Sequence, residues 1–456
     1  MNRAEYLTTL TEQIQNKNAR KLVLEEITAH IEDQKEAWLL EGMDEEEAEK
    51  LAVKEMGNPV DTGAKLNKIH RPKTDVWMLA AMVILTLIGI VMQSIISAGY
   101  DSPQVVAGLS GRTVLFNLAG FALMSLVCFA DYRILGKYIW YIYGFYLSMA
   151  FLLPRASMYY AEYGRHWQLG QTLSILFVPL FAALCYHFRG EKGLGIFKAM
   201  GMLLLNMFLL LLFGYYTSAS MILAFMACLI TLCAAAFKGI FGGRKKLQAG
   251  LLLTAVIGIP TLVLGDVMLF DGRFLFLAEY QIRRIQVMLH PAAFAGEAGY
   301  QTMLVRSELS EASLFGGGSV GKVGELSGAW CDYVLICLTA YFGLFIALAV
   351  VLLITAYFLR SLHISLMQSN RLGFLLGISC SSILILKTVV YVAMNLGVGP
   401  VVSIDMPFLT YGLHCTLINF LFMGVILSVY RNTNLLPEYR QTAARFRVRI
   451  ERVGTK

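Results

Sequence analysis

The stretch VWMLAAMVILTLIGIVMQSIIS, residues 76–97, contains no charged side chain and decides the fold. A helix of about 20 apolar residues crosses the hydrocarbon core of a bilayer, so this stretch predicts a membrane span. Similar stretches follow it, with cores near 113–130, 138–153, 171–187, 196–213, 218–237, 249–268, 333–358, 372–396 and 407–430. We therefore predict an all-α polytopic membrane protein with about ten transmembrane helices.

The composition points to the same solvent. Hydrophobic residues make up 57% of the 456 residues, charged residues make up 15%, and the mean hydropathy is +0.62. The formal net charge is +7, and the basic residues collect in short loops between apolar stretches and in the tail after Arg431. Membrane topology explains those positions, so no nucleic-acid partner is expected. The eight cysteines form no CxxC pair and no metal-binding spacing, and we interpret them as ordinary span residues.

The basic loops predict the orientation in the membrane. Lys and Arg cluster in alternate loops, near 133–137, 189–192, 238–246 and 360–371, which fall on one side of the predicted bundle. By the positive-inside rule that side is cytoplasmic, and an even number of spans places both termini there. The segment from about 269 to 331 is then one long external loop, and loops of this length tend to be functional.

The two ends of the chain differ from the middle. We predict a small soluble helical domain at 1–72, a membrane domain at 73–435 and a basic cytoplasmic tail at 436–456. Two or three short helices fit the first domain, and Asp44 is expected to cap one of them. Its apolar residues recur at helical spacing, at Leu22, Val23, Ile27, Ile31, Ala48, Leu51, Ala52 and Met56.

Asp332 is the strongest candidate for chemistry. It lies in GAWCDYVL, residues 328–335, where the predicted external loop enters the eighth span. An ionisable residue at the mouth of a span is a functional candidate, because burying it is costly unless it pairs or faces water. The alternative is a solvated carboxylate at a helix start, which the helix dipole favours.

Basic residues on the same predicted face offer a site for a pyrophosphate or an acidic lipid headgroup. Each of them alone is also a common interfacial anchor. Trp167 beside His166 is similarly explained by the enrichment of aromatic residues at membrane interfaces. The basic candidates are Arg112, Arg165, Arg283, Arg284 and Lys322.

Several motifs together resemble the SEDS family, the shape, elongation, division and sporulation proteins of the FtsW/RodA/SpoVE group. The external loop contains RIQVMLHP from Arg284, GYQ at 299–301 and LFG at 314–316, in the family's order. Next comes SVGKVGELSGAWCDYVL, in which Asp332 falls on a family aspartate. PVVSIDMPFLTYG at 400–412 is similar to the signature P-x-x-G-x-x-L-P-F-x-S-Y-G-G.

The chain also departs from the family pattern. SILFVP at 174–179 stands where the family has Q-P-S-E, and GYYTSA at 214–219 stands where it has Q-P-D-x-G-T. The proline and glutamate before the family aspartate are Ser327 and Gly328 here. The chain is therefore identified as a divergent member.

The resemblance implies a function in the bacterial cell membrane. Family members are peptidoglycan glycosyltransferases that polymerise lipid II, were long regarded as lipid II flippases, and usually work with a class B penicillin-binding protein. By this resemblance Asp332 is a general base or the ligand of a divalent cation, Mg²⁺ or Mn²⁺. The implied substrate-binding residues are Lys322, Arg284, Arg165, Trp167, Gln301 and Arg112.

Two alternatives stay open at this point. The lost motifs favour a non-catalytic scaffold or regulator of cell-wall machinery that contacts membrane lipids, whereas the retained aspartate favours an enzyme. The sequence does not separate roles in division, elongation and sporulation. The region 1–72 resembles the helical prefix domain found ahead of some permeases, which implies a regulatory or protein-binding role.

Overall fold

The computed structural model describes residues 2–433 except 16, 70, 73, 100–107, 160–162, 214–218, 271–278, 317–325 and 327. Every regular element in the described part of the chain is helical. The all-α prediction is therefore confirmed. The predicted tail at 436–456 lies outside the described residues.

Four helices precede the first span, where the sequence suggested two or three. They are α1 (Arg3–Glu12), α2 (Lys17–Leu40), α3 (Glu45–Glu55) and α4 (Pro59–Ile69), with α1 packed on α4 and α2 on α3. The apolar pattern marks their interior, because Val23, Ile31 and Ala52 are fully buried. Asp44 occupies the position before α3, but its side chain makes no capping hydrogen bond.

Nine helices in the described residues are long and apolar enough to cross a membrane. A tenth helix, α8 (Ile139–Tyr159), has a shorter apolar part, Ile139–Leu153. The predicted polytopic architecture is thus confirmed. The membrane helices are α5 (Val76–Gly99), α6 (Leu109–Phe129), α8 (Ile139–Tyr159), α9 (Tyr163–His187), α10 (Gly193–Leu212), α11 (Ala219–Phe237), α12 (Lys245–Phe270), α16 (Leu344–Leu366), α17 (Arg371–Asn395) and α18 (Leu413–Arg431), and the short helix α7 (Arg133–Lys137) lies between α6 and α8.

The eighth predicted span, 333–358, is two helices. A break at Gly343 separates α15 (Val334–Phe342) from α16. Gly343 has a φ of 90°, and a Cβ there would lie 2.7 Å from the carbonyl oxygen of Leu314. Residues 313–316 bind to the backbone at this break. Gly316 N donates to Phe342 O at 3.0 Å, and Leu344 N donates to Ser313 O at 3.0 Å.

The predicted external loop also contains helices. These are α13 (Glu279–Leu289), a 3₁₀ turn (Pro291–Phe294) and α14 (Tyr300–Glu311). α14 packs on the 3₁₀ turn and on α15, so this part of the loop lies against the membrane helices. Arg306 on α14 also donates to the carbonyl of Gly397 at 2.8 Å, just after α17 ends.

α17 is the central helix of the bundle. It packs against α9, α11, α16 and α18, and α18 packs along α6. Between α17 and α18 lies an irregular stretch, residues 396–412, which we call the 396–412 segment. It passes so close to α5 that a Cβ at Gly89 would lie 2.3 Å from Phe408 O and 3.0 Å from Leu409 Cα.

The close approach at Gly89 predicts a position that does not tolerate a side chain. Gly89→Ala forces backbone against backbone, and Phe408 already has an unfavourable φ of 70°. We expect a loss of about 1–3 kcal/mol of stability, measured as a lower thermal denaturation midpoint of the protein in detergent.

The matched control is Gly144→Ala on α8, where a Cβ would have no neighbour within 4 Å. It should leave the midpoint unchanged or raise it slightly, because alanine favours a helix over glycine. Equal midpoints for the two variants would contradict the packing of the 396–412 segment on α5.

Candidate functional site

Asp332 ends a tight turn between the loop helices and α15. Residues 328–332, which we call the Asp332 turn, are closed by hydrogen bonds from Asp332 N to Gly328 O at 2.8 Å and from Cys331 N to Gly328 O at 2.9 Å. The side chain is half-buried, and its Oδ1 accepts from Ser403 Oγ at 3.2 Å. The turn therefore holds a carboxyl group at the edge of the helical bundle.

α17 binds the carbonyl side of this turn. Tyr391 donates its hydroxyl proton to Cys331 O at 3.1 Å, and Asn395 Nδ2 donates to Asp332 O at 3.0 Å. The same two side chains accept from the start of α15, because Val334 N donates to Tyr391 Oη and Ile336 N donates to Asn395 Oδ1. Two adjacent side chains of one helix thus fix both the turn and the helix after it.

α5 and the 396–412 segment hold the other side of the turn. Gln93 Nε2 donates to Trp330 O at 2.8 Å and to Leu409 O at 3.1 Å, so one amide ties the turn to the segment. Tyr411 N donates to Trp330 O at 3.1 Å, and Cys331 Sγ donates to Tyr411 O at 3.2 Å. The turn and the segment therefore form a single hydrogen-bonded unit.

The surroundings of Asp332 raise the pKa of its carboxyl to about 6. Burial is the main cause, since it penalises the charged form, and the nearby negative charge of Asp405 acts in the same direction. The hydrogen bond from Ser403 opposes them because it stabilises the carboxylate. A carboxyl group with this pKa is a competent proton acceptor near neutral pH.

A second carboxylate, Asp405, belongs to the segment itself and forms a buried ion pair. The Lys387 ammonium on α17 is 2.7 Å from the Asp405 carboxylate, and the two side chains are only 2% and 10% exposed. Asn419 on α18 joins them, with Oδ1 accepting from Lys387 at 3.2 Å and Nδ2 donating to Asp405 at 2.8 Å. Burial raises the pKa of Asp405, but the Lys387 charge and these hydrogen bonds outweigh it and hold that pKa below its ordinary value.

The predicted substrate-binding residues are partly described. Gln301 lies on α14 and its buried Oε1 has no hydrogen-bond partner among the described residues, while Arg112 on α6 and Arg284 on α13 are exposed. Within the described part of the chain, neither arginine bonds to Asp332. Lys322 and the side chains of Arg165 and Trp167 lie outside the described residues.

Most of the residues around Asp332 were not predicted from the sequence. Lys387 had a visible signal, because a lysine inside an apolar span is itself a functional candidate. Lys387, Tyr391 and Asn395 are spaced by four, which places them on one helix face. Gln93, Ser403 and Asn419 had no such signal, since only the tertiary fold brings them to the site.

A metal would find few protein ligands here. Among the described residues, no group of three or more His, Cys, Asp or Glu side chains is close enough to hold an ion. Asp405 is already bound to Lys387 and Asn419. Among the described residues of the site, Asp332 is thus the carboxylate available to a cation, and Mg²⁺ accepts one or two carboxylates when substrate phosphates and waters supply the other ligands.

The chain resembles known proteins over most of its length. The profile of the FtsW/RodA/SpoVE family, described as "Cell cycle protein", matches residues 74–435. A probable peptidoglycan glycosyltransferase FtsW of Geobacter sp. is 25% identical over 375 residues, which cover 78% of this chain and 96% of the relative. Stage V sporulation protein E of Bacillus subtilis is 26% identical over 157 residues, 34% of this chain and 43% of the relative.

Solved structures share the fold. A chain from a study of polymerization and crosslinking by a peptidoglycan synthase complex aligns with a TM-score of 0.58 at 17% identity, covering 79% of this chain and 98% of its own. A Thermus thermophilus rod shape determining protein RodA mutant aligns with a TM-score of 0.50 at 15% identity, with the same coverage. Because the family profile matches residues 74–435, which include the whole membrane region, this chain belongs to the FtsW/RodA/SpoVE family.

Proposed function

We propose that this protein is a peptidoglycan glycosyltransferase that polymerises lipid II, with Asp332 as the general base. The observation that carries the proposal is the half-buried Asp332 carboxyl, whose pKa is raised to about 6 in a turn fixed by three other parts of the bundle. The relatives named as probable peptidoglycan glycosyltransferases support the substrate class. Lipid II combines a sugar, a pyrophosphate and a polyprenyl tail, which suits a site at the mouth of a membrane bundle.

The proposed reaction has one proton transfer. The acceptor sugar hydroxyl attacks the anomeric carbon of the donor, and its proton passes to the Asp332 carboxylate. A carbon–oxygen bond forms as the bond from the anomeric carbon to the lipid pyrophosphate breaks, and the lipid pyrophosphate leaves. A base whose pKa lies near the working pH accelerates such a step because it is both ionised and able to hold the proton.

The leaving pyrophosphate needs positive charge or hydrogen-bond donors. Arg284 is exposed on α13 and is proposed for this role, together with Lys322 and Arg165. Arg112, Trp167 and Gln301 are proposed to contact the sugar or the headgroup. The buried Oε1 of Gln301 has no partner within the part of the chain that the structure describes, which supports a ligand contact for this residue, since a buried acceptor is costly unless something binds it.

A divalent cation fits the proposal only as a companion of the substrate. If Asp332 held a Mg²⁺ or Mn²⁺, the ion would supply charge neutralisation at the pyrophosphate, and Asp332 would be a ligand instead of the general base. The proton transfer described above uses the chain's own carboxylate.

The proposal includes a partner and an orientation. A class B penicillin-binding protein is the proposed partner, in keeping with the peptidoglycan synthase complex that shares the fold. The protein is proposed to lie in the bacterial cell membrane with both termini in the cytoplasm, so that Asp332 faces outward. The helices α1–α4 then offer a cytoplasmic surface for regulation.

The second candidate function is a non-catalytic scaffold of the cell-wall machinery. The specific observation that favours it is the loss of the family's Q-P-S-E and Q-P-D-x-G-T motifs. A scaffold needs the fold and its partner surfaces, but it does not need an ionisable carboxyl group at position 332.

Replacing the base tests the proposal directly. Asp332→Asn keeps the shape and the hydrogen bond from Ser403 but removes the proton acceptor, so strand formation from lipid II should fall by at least about 100-fold. The measurement is glycan-strand length and yield from purified protein, with the penicillin-binding partner and divalent cation present.

The matched control for this substitution is Glu311→Gln, an exposed carboxylate at the end of α14 on the same loop. It should polymerise at the wild-type rate. Wild-type rates from Asp332→Asn would remove Asp332 as the base, and no strands from well-folded wild-type protein would favour the scaffold.

The raised pKa predicts the pH dependence of polymerisation. The base must be ionised, so the rate should rise as pH increases through about 6, and at about pH 5 it should be about tenfold below its plateau. Ser403→Ala removes a hydrogen bond that lowers the pKa, so the midpoint should move upward. A rate that stays flat from about pH 5 to 8, or a midpoint near the ordinary aspartate value of about 4, would contradict the assignment.

A further inference from the structure

The buried ion pair of Lys387 and Asp405 is the feature that the proposed reaction leaves unused. Lys387, Asp405 and Asn419, which we call the triad, bind one another, since each contacts the other two at 2.7–3.2 Å. The lysine is 2% exposed in a membrane helix, where a charged side chain is expensive. The triad is buried, so the proposed reaction assigns it no contact with a substrate.

Stability alone does not account for the triad. Replacing a buried ion pair by apolar side chains of similar volume is often neutral or stabilising, because it avoids the cost of removing two charges from water. Hydrogen bonds and ion pairs are directional, however, so they fix the position of the chain segment that carries one of the partners. Apolar packing fixes such a segment less strictly. The segment carried here is the 396–412 segment, which is irregular before a turn in which Thr410 N donates to Met406 O at 3.3 Å. Ser403 and Asp405 both lie before that turn.

Two series of contacts connect the triad to Asp332. Through the segment, Asp405 is two residues from Ser403, whose hydroxyl donates to Asp332 Oδ1 at 3.2 Å. Through the helix, Lys387 shares one face of α17 with Tyr391 and Asn395, which bind the backbone of the Asp332 turn. One helix face therefore fixes the turn directly at two positions and, at the third, fixes the segment that contacts the carboxyl group.

We propose that Lys387 is a positioning residue, which through Asp405 and Asn419 sets the 396–412 segment so that Ser403 holds the Asp332 carboxylate in its reactive orientation. This inference rests on the proposed function, because it assumes that Asp332 accepts the proton. It assigns no contact with lipid II to the triad. Its loss should therefore reduce kcat and leave the KM for lipid II unchanged.

The test replaces the whole triad with apolar residues, as Lys387→Met/Asp405→Leu/Asn419→Leu, so that no buried charge or amide is left unpaired. This variant should fold with a thermal midpoint close to that of the wild type. Its kcat for strand formation should fall about 10- to 100-fold, because a displacement of a catalytic group by about 1 Å or less has an effect of this size. Hydrogen exchange of backbone amides should become faster in 396–412 and in 328–332, and not in the other loops.

Coupling to Ser403 separates positioning from a general structural defect. Ser403→Ala should lower kcat in the wild type and cause little further loss in the triad variant, because both changes remove the same constraint. The control is Asp75→Leu/Arg360→Met, which removes another ion pair, joined at 2.9 Å between a buried aspartate and a partly exposed arginine. Asp75 lies just before α5, at the opposite end of that helix from Gln93. It can lower the thermal midpoint but should leave kcat unchanged.

The outcomes distinguish this inference from the proposed function. If Asp332→Asn is inactive while the triad variant keeps the wild-type kcat, or loses activity additively with Ser403→Ala, the positioning role is overturned and the glycosyltransferase stands. If Asp332→Asn is active, the proposed base fails, whatever the exchange data show. If the apolar variant does not fold, Lys387→Gln/Asp405→Asn takes its place, and failure of both to fold would assign the triad to stability and overturn the proposal.

Discussion

The backbone of the Asp332 turn lies outside any helix, and side chains must satisfy its polar groups. Near a bilayer an unpaired carbonyl is costly, because lipid offers no hydrogen bond in place of water. Gln93 donates to Trp330 O, Tyr391 donates to Cys331 O and Asn395 donates to Asp332 O. Three consecutive carbonyls are therefore hydrogen-bonded. The position of Asp332 follows from this requirement, and so do the identities of the residues on the facing helices.

The same requirement makes the site stiff. A carboxyl group that is to act as a base loses efficiency when it must first reorganise, and a preformed set of hydrogen bonds avoids that cost. Unfavourable backbone geometry occurs elsewhere in the chain, in the positive φ of Phe408 and in the tight approach of the segment to Gly89. These strained contacts lie next to Leu409, whose carbonyl accepts from the same Gln93 that holds the turn.

The sequence predicted the membrane helices well because hydropathy is a property of each stretch alone. It did not predict the break at Gly343, since the apolar run continues on both sides of the glycine and only the loop packed at 313–316 explains it. It identified Asp332 by its place at the mouth of a span, but not its partners. Asn395 is 63 positions away in the chain and Gln93 is 237 positions from Trp330, so these contacts exist only in the folded bundle.

The departures from the family pattern are not all losses. In the signature P-x-x-G-x-x-L-P-F-x-S-Y-G-G, which 400–412 resembles, Ser403 falls on the first glycine and Asp405 on a variable position. A glycine has no side chain to donate, whereas Ser403 here binds the Asp332 carboxyl, and Asp405 pairs with a lysine from α17. A scaffold that had no use for the carboxyl would have no reason to acquire polar residues directed at it. The chain instead has a hydroxyl that donates to Asp332 and a buried ion pair next to it, and this favours a working base over an abandoned one.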